Sequence, residues 1–310
     1  AYAERAHLAM AQAELENGHL DTAAETLRAV LSAKPGLKAQ MCDTFWDLAN
    51  LLERRLEYGA AAEWYEKVVE VRPDDFTARY RLARSRITQS QYGDAERHIR
   101  RALELQPLDR EIWHVMSVAQ LILLQPSKGI PAEQRALALA PDYGFSEYWH
   151  YAHALLCLGR MDEAVVVAAR GAHVVPCPLS HGGHALALLA AGKVGEAVGL
   201  FRRAIEMSGQ SNAWTLAGLG LALFQAGAAD DALRCFAQAG ALGTNVNWVR
   251  SGLGYVLLRQ GRRGEAEATL RAGAEAEPHM IGFDLWSRPW TVETLAPVYA
   301  ELGFTTGKPS

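Results

Sequence analysis

Apolar residues recur at helical spacing along almost the whole chain. In the stretch before Pro278, Leu253 and Leu257 fall on one side of a helix, and Trp248, Gly252, Tyr255 and Arg259 share another. Gly261 breaks that pattern, as Gly159, Gly192 and Gly227 do earlier. A second helix through Ala266, Leu270 and Gly273 follows, and Pro278 stops it. Pro35, Pro73, Pro107, Pro141 and Pro176 stop earlier segments in the same place, because proline cannot continue a helix. No run alternates with the period of a strand. The pattern predicts an all-α chain built from short helix pairs.

The pairs repeat. Leu-Glu-Leu-Gln-Pro at 103–107 matches Val-Glu-Val-Arg-Pro at 69–73, and Met-Asp-Glu-Ala-Val at 161–165 matches Val-Gly-Glu-Ala-Val at 194–198. One small residue marks each unit: Ala23, Ala61, Ala95, Gly129, Ala164, Ala197, Ala232 and Ala266. Their spacings are 38, 34, 34, 35, 33, 35 and 34 residues. A period this constant signals stacked repeats. A second small column, Ala11, Ala49, Ala83, Ser117, Ala152, Ala185, Gly220 and Gly254, sits opposite it. Small residues at both places let two helix backbones cross at about 8–9 Å.

With its period, small-residue columns and terminal prolines, the chain resembles the tetratricopeptide repeat family over roughly residues 4–278, in eight units. The resemblance implies a right-handed α-solenoid of tandem helix-turn-helix repeats. First helices would line a concave groove and second helices the convex back. Two departures stand out. Residues 36–41 lengthen the first junction by four. The fourth unit carries Gly129 with Pro126 and Pro131, so its second helix is expected to start late or be short.

The expected organisation is a repeat superhelix over 1–278, followed by an aromatic segment, a capping helix and a mobile tail over 279–310. A terminal repeat needs a cap for its apolar face. Leu295, Val298, Tyr299 and Leu302 supply an apolar stripe, and Pro297 places the helix start near Leu295 with Thr294 as N-cap. The aromatic Phe283–Trp290 segment either packs on the last repeat or folds back into the groove.

Composition narrows the chemistry. The chain has 310 residues, 31 Lys+Arg against 35 Asp+Glu, and half its residues are hydrophobic. Such near-neutral balance gives no global reason to bind nucleic acid or an acidic membrane. The four cysteines, Cys42, Cys157, Cys177 and Cys235, form no C-x-x-C pair and read as small buried hydrophobes of a reducing compartment. The expected place is the cytoplasm, with the periplasm open because the chain starts at Ala1 rather than Met, as a processed or shortened chain would. No H-E-x-x-H, G-x-S-x-G or EF-hand loop occurs. The tail at 303–310 has the wrong glycine spacing for a phosphate loop. No enzyme activity and no cofactor are expected. His150 and His153 are three apart, as are His181 and His184. Metal ligation, polar groove contacts and plain packing are the three readings of these pairs.

If first helices line a groove, its surface can be read off. Early units offer Trp46, Asn50, Arg54, Tyr80, Arg81, Arg84 and His114; the fifth offers Trp149, His150 and His153. Later units turn apolar, with Leu186, Trp214, Leu221, Trp248 and Tyr255. Residues 79–101 hold seven arginines against Asp94 and Glu96, with Arg81 and Arg84 on the groove side. Arg79 and Arg86 fall in columns that are normally apolar and should snorkel or pair. The family's carboxylate clamp uses Lys and Asn in an early first helix, where Leu8 and Gln12 stand here. The expected function is a protein-protein interaction scaffold holding an amphipathic peptide or partner segment with an acidic portion. A substrate-recruiting module of a larger enzyme, such as a glycosyltransferase, and a self-assembling scaffold are the alternatives.

Overall fold

A computed structural model describes residues 2–306 except 90, 143, 209–211, 245, 282–284 and 286–287, and omits the side chains of 2–8, 279 and 289. Among the described residues every regular element is a helix. The chain divides into two compact units, Ala1–Ala119 and Gln120–Ser310.

The first unit holds α1 (Tyr2–Glu16), α2 (Leu20–Ala33), α3 (Cys42–Arg54), α4 (Tyr58–Val71), α5 (Phe76–Thr88), α6 (Tyr92–Leu105) and most of α7 (Arg110–Ile122). Helices α1 and α2, α3 and α4, and α5 and α6 pack as pairs, and α1 also touches α3. The long first junction is a 3-10 helix, Pro35–Met41, whose Met41 is buried against the pairs. The core runs from Ala11 and Leu27 through Phe45, Trp64 and Tyr65 to Leu82.

The second unit holds α8 (Pro126–Leu139), α9 (Phe145–Cys157), α10 (Met161–Val174), α11 (Pro178–Ala190), α12 (Val194–Ser208), α13 (Ala213–Gln225), α14 (Ala229–Ala241), α15 (Val246–Arg259), α16 (Arg263–Ala276) and α17 (Val292–Glu301). Its pairs are α9 with α10, α11 with α12, α13 with α14 and α15 with α16. The first helices α9, α11, α13 and α15 also touch in succession, so they make one layer.

The small columns mark the crossings, as their steric reading requires. Every alanine of the first column is fully buried. A Cβ added at Gly220 would sit 3.2 Å from the Ala232 carbonyl oxygen, and one at Gly254 would sit 2.6 Å from Leu270. The turns differ more than the sequence suggests. Gly159, Gly192, Gly227 and Gly261 have φ near +80°, and Leu56 and Leu124 hold the same left-handed conformation without being glycine.

Two expected helix boundaries are corrected. Helix α8 runs its full 14 residues rather than starting late. Pro126 occupies its first position, where the missing N–H costs nothing. Pro131 lies inside at an exposed position, and burial of Ile130, Ala132, Glu133 and Ala136 outweighs the one lost backbone bond. Helix α17 starts at Val292, not near Leu295, with Pro297 inside it. Its entry is set by buried Thr291, whose Oγ1 donates to the Arg288 carbonyl at 2.8 Å after a 3-10 turn over Pro289–Thr291. The apolar stripe of this helix lies where a cap should be. Leu295, Val298 and Tyr299 are buried in the second unit's core, and the helix touches α15 and α16. Phe283 of the aromatic segment and most of the expected mobile tail lie outside the described residues.

Candidate functional site

In the first unit the candidate residues converge on one acid. Helix α3 carries Trp46, Asn50 and Arg54 one turn apart, and α5 carries Tyr80, Arg81 and Arg84. Between them Glu53 is only 8% exposed. A buried carboxylate has to be paired. Arg81 Nη1 donates to Glu53 Oε2 at 2.8 Å, and Tyr65 Oη donates to the same oxygen at 2.7 Å. The Tyr65 hydroxyl also lies 2.8 Å from Asn50 Oδ1. Burial, then the bond to Glu53, pushes the Tyr65 phenol well above its ordinary pKa. Burial works against the Arg81 charge, but the Glu53 bond and charge outweigh it and raise its pKa.

Arg84 is placed differently. Its Nη1 is 3.6 Å from Glu53 Oε1, beyond hydrogen-bond reach, and its guanidinium lies 5.7 Å from the Tyr80 ring centre. Trp46 stands edge-on to Tyr65 at 5.6 Å. Two guanidiniums therefore share one carboxylate, and Arg54 adds an exposed third charge at the end of α3. Arg81 and Arg84 are therefore not equivalent. Arg81 is committed to Glu53, an acid whose burial no sequence pattern marks. His114 lies half-buried on α7. Arg79 and Arg86 pair as expected: Arg86 reaches Glu66 at 2.9 Å and Gln91 at 2.7 Å, and Arg79 Nε donates to the Pro73 carbonyl at 2.6 Å.

In the second unit the first-helix layer carries a ladder of rings. Trp149 stacks on His153 with centroids 5.3 Å apart and meets Trp214 edge-on at 5.2 Å. Trp214 stacks on Trp248 at 5.6 Å, and Trp248 Nε1 donates to the Trp214 carbonyl at 3.2 Å. Glycines make room for the rings. A Cβ at Gly182 would be 2.6 Å from Trp214, and one at Gly183 would be 2.9 Å from Trp149. Arg288 continues the ladder, with its guanidinium 4.3 Å from the Trp248 ring centre. Arg288 of this segment thus packs on α15, the first helix of the last repeat pair.

Burial corrects several of the expected groove residues. Leu186, Leu221 and His153 have no exposed surface, and Trp248 and Tyr255 are 4% and 8% exposed. Trp248 is covered by Trp214 on one side and by Arg288 on the other, and Tyr255 meets Phe224 edge-on at 6.1 Å. Trp149, His150 and Trp214 remain half-buried. In the second histidine pair, His181 Nδ1 lies 3.0 Å from the Cys177 carbonyl oxygen, and burial with the nearby His181 charge lowers the His184 pKa.

A tetratricopeptide repeat family model matches residues 8–76, 46–110, 80–144 and 183–244, and a second one matches 247–272. Together with the paired helices and small columns, this decides the family. The chain belongs to the tetratricopeptide repeat family. A search of curated protein sequences finds no match. Solved structures share the fold. A tetratricopeptide repeat protein from Parabacteroides merdae is 15% identical with a TM-score of 0.65, covering 82% of this chain and 98% of its own. The Cut9–Hcn1 hetero-tetramer of the APC/C gives 18% and 0.59, over 84% of this repeat protein and 50% of that chain. PilW, a type IV pilus biogenesis factor, gives 21% and 0.57, over 65% and 93%. No described helix of the repeat protein is long and apolar enough to cross a membrane.

Proposed function

We propose that this repeat protein is a non-enzymatic, cytoplasmic scaffold whose first unit holds an acidic peptide or partner segment on the faces of α3 and α5. One observation carries the reading. Arg81 and Arg84 face a single buried carboxylate, and only Arg81 is within hydrogen-bond distance of it. Arg84 and the exposed Arg54 leave positive charge beside the half-buried rings of Trp46 and Tyr80. Such a surface suits a carboxylate with an apolar neighbour: the guanidinium takes the charge and the rings take the side chain. Solved neighbours named for a hetero-tetramer and for pilus biogenesis support the scaffold role.

Charge attraction acts mainly on association and weakens with salt. Arg54→Glu with Arg84→Glu should slow association of a captured partner and flatten its salt dependence. Arg97→Glu is the control, since Arg97 is exposed on α6 and pairs with Asp94 at 2.8 Å. Surface plasmon resonance at two salt concentrations separates the two variants. Unchanged kinetics in the double variant, with loss in the control, would place the binding face elsewhere.

A further inference from the structure

Arg288 lies beyond the last repeat pair, yet it is the one arginine or lysine among the described residues with no exposed surface. Its surroundings fit a guanidinium on three sides. The Trp248 ring lies beneath it at 4.3 Å. Ser251 Oγ accepts from Nη2, while the same hydroxyl donates to the Trp248 carbonyl at 3.2 Å. Gly252 leaves the space that Nη1 uses: a Cβ there would be 3.3 Å from Nη1 and 2.8 Å from Phe236. An indole face beneath a cation, with a hydroxyl acceptor at its edge, is a recognition arrangement for a planar cation. The three residues belong to α15, a helix of the first-helix layer. The arginine sits in a turn: its N–H donates to the Leu285 carbonyl at 3.3 Å, and its own carbonyl accepts from the Thr291 N–H at 2.8 Å.

We infer that Trp248, Ser251 and Gly252 form a guanidinium-binding subsite that Arg288 fills in cis, and that its natural competitor is an arginine-bearing segment of a partner. The inference rests on the reading of first-helix faces as binding surfaces and adds the chemistry of a second position. Continuity of the ladder supports it. Trp214 stacks on Trp248 and is half-buried, so a segment whose arginine replaced Arg288 would meet a further indole next to it. The ligand class is opposite in charge to that proposed for the first unit. The recognition is also specific to a guanidinium, because an ammonium cannot lie flat on the ring while reaching Ser251.

The test uses the full chain with Arg288→Gly, which empties the subsite, and N-acetyl-arginine amide as the probe. Indole fluorescence and the Trp248 N–H resonance report binding. The arginine derivative should bind this variant roughly tenfold or more tightly than it binds the wild type, where Arg288 competes. The citrulline derivative, of the same shape without charge, should not bind. Adding Trp248→Leu should abolish binding. Equal affinity in wild type and variant, binding of citrulline, or no binding by a folded variant overturns the inference. Should Arg288→Gly unfold, helical circular dichroism is followed instead. Recovery with the arginine derivative alone supports the subsite, and no recovery, or recovery with both derivatives, overturns it. These measurements need no protein partner. Failure of the first-unit site to bind acidic segments would therefore leave them standing, and the reverse also holds.

Discussion

Glu53→Gln removes the charge on which the first-unit site is built while keeping its shape. In the native protein the carboxylate accepts from Arg81 at 2.8 Å and from Tyr65 at 2.7 Å, and it is 8% exposed. Breaking a fully buried ion pair costs about 3–5 kcal/mol. Here the Arg81 side chain is 36% exposed and Arg84 40%, so water recovers part of that loss. Tyr65 also keeps Asn50 as a neighbour. The expected cost is then about 2–3 kcal/mol, close to one charge-assisted bond plus part of the desolvation of Arg81. Urea unfolding followed by circular dichroism measures it, and amide exchange places it. Protection should fall in α3, α4 and α5 and stay unchanged in the second unit. A double-mutant cycle with Arg81→Ala should return a coupling of about 1 kcal/mol or more. A Glu53→Gln protein within about 0.5 kcal/mol of wild type, a range typical of plain surface changes, would refute the idea that Glu53 organises this face.

Other expectations follow from single positions. Leu56 has φ +64° and is 70% exposed, so Leu56→Gly should raise stability by about 0.5–1 kcal/mol in a thermal melt. Gly182→Ala should cost about 1–3 kcal/mol and shift the emission of Trp214, whose ring lies 2.6 Å from the new Cβ. Burial and the His181 charge lower the His184 pKa, so the folded state disfavours its protonation. Stability should therefore fall as pH drops below about 6.5, the unfolded value, and His184→Asn should flatten that slope. Burial raises the Cys157 thiol to about 12, so iodoacetamide at pH 8 should leave it unmodified while the protein is folded.

The repeat architecture was legible because it rests on local rules. An alanine every 34 residues or so has one steric reading, and proline ends a helix wherever it falls late. The site was legible only in part. Spacing alone puts Arg81 and Arg84 on one helix face, whereas Glu53 lies among Asn50 and Arg54 in sequence with no sign of the burial that pairs it with Arg81. A pair of arginines in one first helix was itself a sign that the preceding first helix should hold an acid. Leu186 and Leu221 fell at groove positions of their own helices, and their burial comes from adjacent pairs that no single helix pattern contains. Pro131 and Pro297 misled for a related reason: tertiary burial held together helices that local propensity argued against. Arg288 carried no signal at all, since its partner Trp248 is 40 residues away in sequence.

The central claim is that the α3–α5 face of the first unit is where a partner binds. Replacing Tyr80 with a photocrosslinking benzoylphenylalanine, and Arg97 with the same residue as the convex control, tests it most directly. Irradiation in cells should give a discrete adduct from position 80. Mass spectrometry should find the attached segment rich in Asp and Glu. Adducts from position 97 alone, or equally from both positions, would contradict the account.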